Sequence, residues 1–377
     1  MSFVYYFISF FLIINVIVLV HEYGHYLAAK SAGVKVETFS LGMGPEICGF
    51  TDKHGTRWRF SLLPIGGYVM MLGDGDIASS TEDEESLKGL SEKERKRSVT
   101  EKSNWEKILI SFSGPFFNYI YAFVVVVGMS FFYGVPMNEP IVGSVLKDSP
   151  AEKIGILAGD RIISVDGRAV GKFRDVLIGI SNNESGKIDF VIERNGVSKK
   201  IEIVPEIKET KKLIGGTKKA KLVGIRSGDP VFVKKNFIDS IKAGFQECVS
   251  VTLEMCQVIS RLFVGKKSID DFGGIVRMAE VAGDLSKSGN FAMLIIFTVQ
   301  LSLSLGFLNL FPLPVLDGGN ILISLIEQVI GRKLNTKMKE YVMTACGILL
   351  IFLMLWVTLN DVLRLEAVNK FVSRFIG

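Results

Sequence analysis

The sequence is poor in the residue types that mark several common protein classes. Its 377 residues include four cysteines, three tryptophans and only three histidines. Because no two cysteines form a CxxC pair, neither a disulfide framework nor a cysteine metal site is expected. The net charge of +5 is modest and the basic residues are spread over polar segments. That distribution is compatible with a membrane surface and does not indicate a nucleic-acid partner.

Apolar residues, in contrast, are abundant. They make up 48% of the chain, and the mean hydropathy of +0.36 is high for a soluble protein of this size. Four stretches free of charged residues are long enough to cross about 30 Å of hydrocarbon at about 1.5 Å per residue. We therefore predict a mainly α-helical membrane protein. Its transmembrane segments, built around these stretches, are expected at residues 1–29, 108–135, 291–316 and 341–362.

The ends of the first span indicate how the chain crosses the membrane. The span lacks a basic leading region and a small-residue cleavage site, so we expect a retained helix rather than a signal peptide. Lys30 and Lys35 follow it, and a basic cluster at 93–97 precedes the second span. The excess of positive charge on cytoplasmic loops then places residues 30–107 in the cytoplasm and the N-terminus outside.

Two segments between the second and third spans are then extracytoplasmic. Residues 138–207 have the pattern of short strands and turns. The next segment, 208–290, contains an amphipathic helical pattern at 231–262. Its apolar stripe would either lie on the membrane surface or pack as ordinary core, and the sequence favours neither.

The motif HEYGH lies at the end of the first apolar stretch and contains two of the three histidines. On a helix His21 and His25 share one face, so both imidazoles can reach one metal ion. Glu22, beside the first of them, can take a proton from a metal-activated water, which is the chemistry of zinc proteases. A buried histidine pair without metal is the alternative. His54, in a polar loop, is expected at the surface.

A third ligand is expected from the segment NLFPLPVLDGGN, residues 309–320. Asp317 follows a long charge-free stretch, and a carboxylate there needs a partner, for which a zinc ion suffices. The two prolines end the helix and the two glycines permit a tight backbone, which is tolerated at membrane depth only where it lines a cavity. An aspartate that caps a helix at the interface is the alternative.

HEYGH and NLFPLPVLDGG, in this order and at the ends of the first and third spans, resemble the motifs of the site-2 protease family of intramembrane zinc metalloproteases. The segments PIGGYVMMLGD (64–74) and SGPFFN (113–118) are similar to further family motifs. A single PDZ-like segment at 138–207 resembles the bacterial regulator-of-sigma-E protease type. The resemblance covers nearly the whole chain.

The resemblance implies both a fold and a set of site residues. The fold has four transmembrane helices, a membrane-reentrant β-loop within 30–107 and an inserted extracytoplasmic PDZ-like α+β domain. His21, His25 and Asp317 would bind Zn²⁺, and Glu22 would act as the acid and base. The resemblance also gives roles in transition-state or substrate binding to Asn309 and, on the β-loop, to Gly66, Gly67 and Tyr68.

The expected function is a zinc metalloendopeptidase, multi-pass in a bacterial inner membrane, that cleaves transmembrane segments of single-span proteins in regulated intramembrane proteolysis. Anti-sigma factors and remnant signal peptides are the substrates that the resemblance implies. The PDZ-like segment would bind peptide C-termini or serve as a size filter. A non-catalytic membrane scaffold that docks partners through this segment is the alternative function. A zinc transporter is disfavoured because ionisable residues within the spans occur only at the two motif ends.

Overall fold

The computed structural model describes residues 2–75, 87–137, 139–183, 185–211, 217–228, 231–263 and 274–364. The chain folds into two compact units. The first consists of Met1–Val127 together with Ile241–Gly377, and the second of Gly128–Ser240, so the second is inserted into the sequence of the first.

The helices are, in chain order, α1 (Ser2–Ser31), α2 (Glu92–Arg95), α3 (Asn104–Phe132), α4 (Pro150–Lys153), α5 (Phe173–Asn182), α6 (Phe237–Phe263), α7 (Ile275–Lys287), α8 (Phe291–Asn309), α9 (Asp317–Ile330) and α10 (Thr336–Arg364). The strands are β1 (Val36–Thr51), β2 (Arg57–Met71), β3 (Val135–Met137), β4 (Val142–Val145), β5 (Arg161–Val165), β6 (Arg168–Ala169), β7 (Ile188–Arg194), β8 (Val197–Ile203), β9 (Glu206–Lys211), β10 (Thr217–Leu222), β11 (Ile225–Ser227) and β12 (Val231–Val233). One 3-10 turn (Val99–Glu101) precedes α3.

Four helices among the described residues are long and apolar enough to cross a membrane, as the sequence predicts. They are Tyr6–Ser31 of α1, Asn104–Phe132 of α3, Phe291–Asn309 of α8 and Thr336–Leu359 of α10. The bounds differ most at the third span, because α8 ends at Asn309 and the chain does not continue as a helix to residue 316. Pro312 and Pro314 follow, and a proline both lacks an N–H donor and disfavours helical geometry in the residue before it.

Helix α1 is held by two other helices of the first unit. Phe10, Ile13 and Ile17 of α1 are buried against Ala279 and Ala282 of α7, and side chains of α8 complete this cluster. Two further hydrogen bonds fix the ends of α7, at Tyr6 Oη–Asp284 Oδ1 (2.9 Å) and at Arg277 N–Asp361 Oδ2 (3.2 Å). Helix α1 therefore cannot shift its register freely, which keeps its histidines at a fixed depth in the unit.

Strands β1 and β2 form one long antiparallel hairpin that packs on α1. Phe39 of β1, Val69 and Met71 of β2 and Tyr26 of α1 share a buried cluster. At the turn, Asp52 Oδ1 accepts hydrogen bonds from the N–H groups of His54 (2.8 Å) and Thr56 (2.9 Å). The hairpin is the segment predicted as the membrane-reentrant β-loop, and its depth in a bilayer stays a prediction.

The second unit is rich in β-strands. Its largest sheet has four antiparallel strands in the order β6-β5-β7-β8, and α5 packs on it. Ile162, Val176, Ile188 and Phe190 are fully buried in its core. Each such side chain contributes about 1.5–3 kcal/mol through burial, so this unit has a hydrophobic core of its own.

The second unit extends beyond the segment 138–207 that the sequence indicates. Strand β11 pairs with β4, and β12 pairs with β3, so the chain returns to the start of the unit after residue 207. Residues 231–233 are therefore a strand, and the predicted amphipathic helix begins at Phe237. A local pattern cannot reveal pairings between strands so far apart in sequence.

The apolar stripe on α6 is exposed among the described residues. Its members are Phe237, Ile241, Phe245, Val249 and Leu253. Cys248 and Val251 of the same helix pack against the buried cluster of α3 and α8. Ordinary core packing of the stripe, one of the two sequence-based alternatives, is therefore wrong.

Candidate metal centre

Helix α1 places two imidazoles one turn apart on a buried face. His21 and His25 are 6% and 8% exposed, and their Nε2 atoms lie 3.1 Å apart. This proximity follows from the i, i+4 spacing on an unbroken helix, because side chains four residues apart lie above one another. Asn15, six residues before His21, does not compete for these nitrogens, because its amide donates hydrogen bonds to the backbone carbonyls of Phe11 and Pro64.

Asp317, the first residue of α9, reaches the same point from the other end of the sequence. Its Oδ2 lies 3.1 Å from His21 Nε2 and its Oδ1 lies 3.4 Å from His25 Nε2. The turn between α8 and α9 makes this possible, because Gly318 and Gly319 lie tightly against backbone carbonyls of that turn. A Cβ at either glycine would lie 2.2–2.3 Å from a carbonyl oxygen of residues 310–313.

The three side chains form a donor set that fits a zinc ion. One nitrogen or oxygen from each residue lies within 4.8 Å of the others, and no donor is a sulfur. Ligand atoms about 2.0–2.1 Å from one tetrahedral zinc ion lie roughly 3.4 Å apart. The two Nε2 atoms lie 3.1 Å apart, and the two oxygens of Asp317 lie 3.1 Å from His21 and 3.4 Å from His25, which is close to that spacing. Two imidazoles and a carboxylate leave a fourth position for water, as in catalytic zinc sites.

The second nitrogen of each imidazole also has a partner, and both partners come from α3. His25 Nδ1 lies 2.8 Å from the carbonyl oxygen of Ile110, and His21 Nδ1 lies 3.2 Å from Asn118 Nδ2. A hydrogen bond from Nδ1–H to a carbonyl leaves the lone pair of Nε2 free for a metal ion. The ring of His25 is therefore already in the tautomer that a metal ligand requires.

Two glycines allow α1 and α3 to approach this closely. A Cβ at Gly114 would lie 2.2 Å from His25 Nε2, and a Cβ at Gly24 would lie 2.5 Å from the carbonyl oxygen of Ser113. Small residues at facing positions let transmembrane helices come into backbone contact. Gly24 lies within HEYGH and Gly114 within SGPFFN, so each motif carries one half of this contact.

Neither helical spacing nor hydropathy predicts a role for Gly114, Asn118 or the Ile110 carbonyl. Gly114 and Asn118 lie within SGPFFN, so the resemblance to a family motif is the signal that could indicate them. His54, by contrast, is exposed in the β1–β2 turn, as expected for a surface residue.

The remaining predicted site residues line one cavity of about 660 Å³ with the histidines and Asp317. They are Glu22, Gly66, Gly67, Tyr68 and Asn309. Asn309 Nδ2 lies 3.4 Å from His21 Nε2, within reach of a group bound at the centre. A Cβ at Gly67 would lie 3.3 Å from Glu22 Cγ, so strand β2 passes directly beside the glutamate. The structure thus brings together all eight residues that the sequence singled out.

Residues 9–354 match the model of peptidase family M50, the site-2 protease family. The chain belongs to this family. M50 peptidases are zinc metalloproteases, and the chemistry of the donor set described above agrees with that metal. With four helices long and apolar enough to span a bilayer, this M50 peptidase is a multi-pass membrane metalloprotease.

Relatives of this M50 peptidase match it over almost their whole length. A protein of Mesorhizobium japonicum named "Putative zinc metalloprotease" is 36% identical over 94% of this chain and 97% of its own. One of the same name from Clostridium acetobutylicum is 34% identical over 92% of this chain and 94% of its own. Among solved structures, the PDZ domain of an SdrC-like protein from Listeria monocytogenes covers 25% of this chain and 90% of its own, with 23% identity and a TM-score of 0.18.

Proposed function

We propose that this M50 peptidase hydrolyses peptide bonds within the transmembrane segments of single-span membrane proteins. The observation that carries the proposal is that His21 and His25, within the candidate span of α1, converge with Asp317, which follows the candidate span of α8. A centre built from such helices favours a substrate bond that is itself in the membrane, rather than one in a soluble protein. These three residues would be the zinc ligands.

Zinc bound to them would supply Lewis-acid polarisation of the scissile carbonyl and a water whose pKa is lowered to about 7. Glu22, on the same helix and facing the same cavity, accepts the proton of the attacking water. It then delivers that proton to the leaving nitrogen. Asn309 Nδ2 donates a hydrogen bond to the negative charge that develops on the carbonyl oxygen.

A transmembrane substrate must expose a peptide bond before cleavage, because the amides of a helix in lipid are bonded within the helix. Strand β2, which lies beside Glu22, would hold the unwound segment of the substrate. Gly66, Gly67 and Tyr68 line the cavity, and their backbone could pair with an unwound substrate strand, as in β-strand addition. Glycines at this edge admit a second backbone without steric hindrance.

The assignment of the membrane, the topology and the substrates rests on the family resemblance and on the distribution of basic residues. We infer a bacterial inner membrane, with residues 30–107 in the cytoplasm and 138–290 outside. Anti-sigma factors and remnant signal peptides are the proposed substrates. The second unit would be the PDZ-like domain, acting either as a peptide-binding module or as a size filter.

The test compares wild type with Glu22→Gln in proteoliposomes that contain a single-span substrate. Loss of the general base is expected to lower kcat by about 10²–10⁴-fold while the zinc content stays unchanged. Glu92→Gln is the matched control, because this glutamate is 87% exposed on α2. Equal cleavage by Glu22→Gln and wild type would overturn the proposed mechanism, and preferential cleavage of a soluble unfolded protein would overturn the substrate class.

The alternative of a non-catalytic scaffold makes the opposite prediction in cells. A scaffold that docks partners through its second unit would keep its role after His21→Ala, because the metal centre lies in the first unit. The protease would lose its role with this variant. Three buried or half-buried donor groups have no evident purpose in a scaffold, which disfavours that alternative.

A further inference from the structure

Asn118 lies on α3, one turn after the sequence SGP. The residue is fully buried, at 0% exposure. Its backbone carbonyl accepts a hydrogen bond from Ser302 Oγ of α8 (3.0 Å), and its side chain faces His21 of α1. Asn118 is thus fixed between two other helices, with its amide aimed at the metal centre.

The amide of Asn118 is only half satisfied. Nδ2 lies 3.2 Å from His21 Nδ1, whereas Oδ1 is buried and has no hydrogen-bond partner among the described residues. A buried polar atom without a partner is rare in folded proteins. Because the nitrogen and the oxygen of an amide occupy equivalent positions, rotation of the amide would place Oδ1 toward His21 in the same space.

The amide of Asn118 can serve either tautomer of His21. Without a metal ion, His21 Nε2–H can donate to Asp317 Oδ2 at 3.1 Å, and Nδ1 then accepts a hydrogen bond from Asn118 Nδ2. A histidine that binds zinc through Nε2 carries its proton on Nδ1 and needs an acceptor there. Rotation of the amide by about 180° exchanges Nδ2 for Oδ1 in the same space and supplies that acceptor.

We propose that Asn118 is the positioning residue of His21: with Oδ1 toward the imidazole, its buried amide accepts a hydrogen bond from Nδ1–H and keeps the lone pair of Nε2 free for zinc. His25 has an acceptor of the same kind in the Ile110 carbonyl. Each of the two ligands on α1 is then held at Nδ1 by an oxygen of α3. The inference rests on the proposed zinc site.

The experiment measures zinc affinity and not only cleavage. Full-length protein in detergent is stripped of metal and titrated with zinc in competition with a chromogenic chelator. Asn118→Leu removes both the donor and the acceptor at similar volume, and it is expected to bind zinc about 10–100-fold more weakly. Asn118→Asp keeps an acceptor and loses the donor, so its affinity should stay close to that of wild type.

Asn15→Leu is the matched control, because Asn15 is another asparagine of the spans whose amide bonds only to backbone carbonyls. Its zinc affinity should not change. Wild-type affinity in Asn118→Leu, or a loss in Asn118→Asp as large as in Asn118→Leu, would overturn the positioning role. If Asn118→Leu has a lower melting temperature even without metal, Asn118→Asp distinguishes the two explanations. A loss of zinc affinity that comes only from a structural defect would not be restored by an acceptor at this position.

The same titration separates this inference from the proposed function. If wild-type protein binds no zinc, or if His21→Ala binds it as well as wild type, the proposed zinc site itself fails. If His21→Ala loses zinc and Asn118→Leu does not, the site stands and only the role of Asn118 fails.

Discussion

His21 Nε2 and Asp317 Oδ2 lie 3.1 Å apart, although the two residues belong to α1 and α9 and are almost 300 positions apart in the sequence. Neither side chain could be kept in an apolar bundle alone, since a lone carboxylate at membrane depth is costly. Together with His25 they satisfy one another, and they leave a position for a cation of matching size. The contact therefore couples the folding of the first span to that of the α8–α9 turn.

The first prediction concerns this contact. His21→Ala and Asp317→Ala should each lose zinc, because removing one of three ligands weakens binding by more than the roughly 10–100-fold cost of removing an outer partner. Metal analysis of the purified variants, with one zinc per chain expected in wild type, measures the effect. Treatment with a chelator should abolish cleavage by wild type and added zinc should restore it.

His54→Ala is the control for this experiment. It removes the third histidine of the chain, which is exposed and lies in the β1–β2 turn. Zinc content should remain that of wild type. Full zinc occupancy in Asp317→Ala would contradict the assignment of the carboxylate as a ligand.

The second prediction concerns Gly114, which the sequence alone did not identify. A methyl group there would lie 2.2 Å from His25 Nε2, so Gly114→Ala must push α3 or the imidazole away. We expect loss of zinc binding together with loss of cleavage, because small misplacements of catalytic groups are costly. Both are measured on protein purified from membranes.

Gly128→Ala provides the matched comparison on the same helix. A Cβ at Gly128 meets no atom within 4 Å, so the substitution adds helix propensity without a steric clash. Its zinc content and activity should equal those of wild type. If Gly114→Ala also binds zinc normally, the close approach of α3 to His25 is not needed for the site.

These residues show how far the sequence could predict the site. His21, Glu22 and His25 follow from helical spacing alone, and Asp317 follows from the cost of a carboxylate at the end of an apolar stretch. Gly114 and Asn118 act across the contact between α1 and α3. The periodicity of one helix does not predict which residue of another helix will face it. Only the resemblance of SGPFFN to a family motif indicates that these two residues have a role.

The same distinction holds for the fold. Four spans could be predicted because an apolar stretch of sufficient length is a local property. The end of the second unit could not, because it depends on β11 returning to pair with β4 across much of that unit's sequence. The end of α8 at Asn309 lies between these cases, because the two prolines predict an end of the helix whereas the charge-free stretch predicts a span up to residue 316.

The third prediction tests Asn309 as a donor to the transition state. Asn309→Ala should lower kcat by about 10²–10³-fold with little change in KM, which is the effect of removing one oxyanion donor. Zinc content should not change, because Asn309 Nδ2 lies beside His21 Nε2 at 3.4 Å without belonging to the donor set. Asn309→Asp keeps the size and removes the donor, so it should be as inactive. Normal kcat in both variants would assign Asn309 to packing alone.

The fourth prediction concerns the stability of the second unit and its dependence on pH. Asp160 is 1% exposed, and its two oxygens accept hydrogen bonds from Arg194 Nε and Nη2, each at 2.6 Å. Burial raises the pKa of this carboxyl, but the bonds from Arg194 and from the Leu157 N–H outweigh it and hold the pKa below its usual value. The ionised carboxylate is therefore a stabilising partner at neutral pH.

The sign of the pH effect follows from this lowered pKa. The unfolded chain takes up the proton near pH 3.9, before the folded unit does, so the stabilisation is fully present above that pH and is lost as the pH falls through the lower folded pKa. Asp160→Asn should destabilise the unit at pH 7 by about 1.5 kcal/mol, at the low end for charged hydrogen bonds because Arg194 is 34% exposed. Below about pH 4 the difference from wild type should shrink.

Unfolding in urea, monitored by the hydrogen exchange of β5 and β7 in the full-length protein, measures the stability difference at pH 7 and at the lower pH. The surface pair Asp189–Lys200 is the control, and Asp189→Asn should change stability by less than about 0.5 kcal/mol at either pH. A constant difference between Asp160→Asn and wild type from pH 7 to pH 3 would show that the carboxylate charge is not what stabilises the unit.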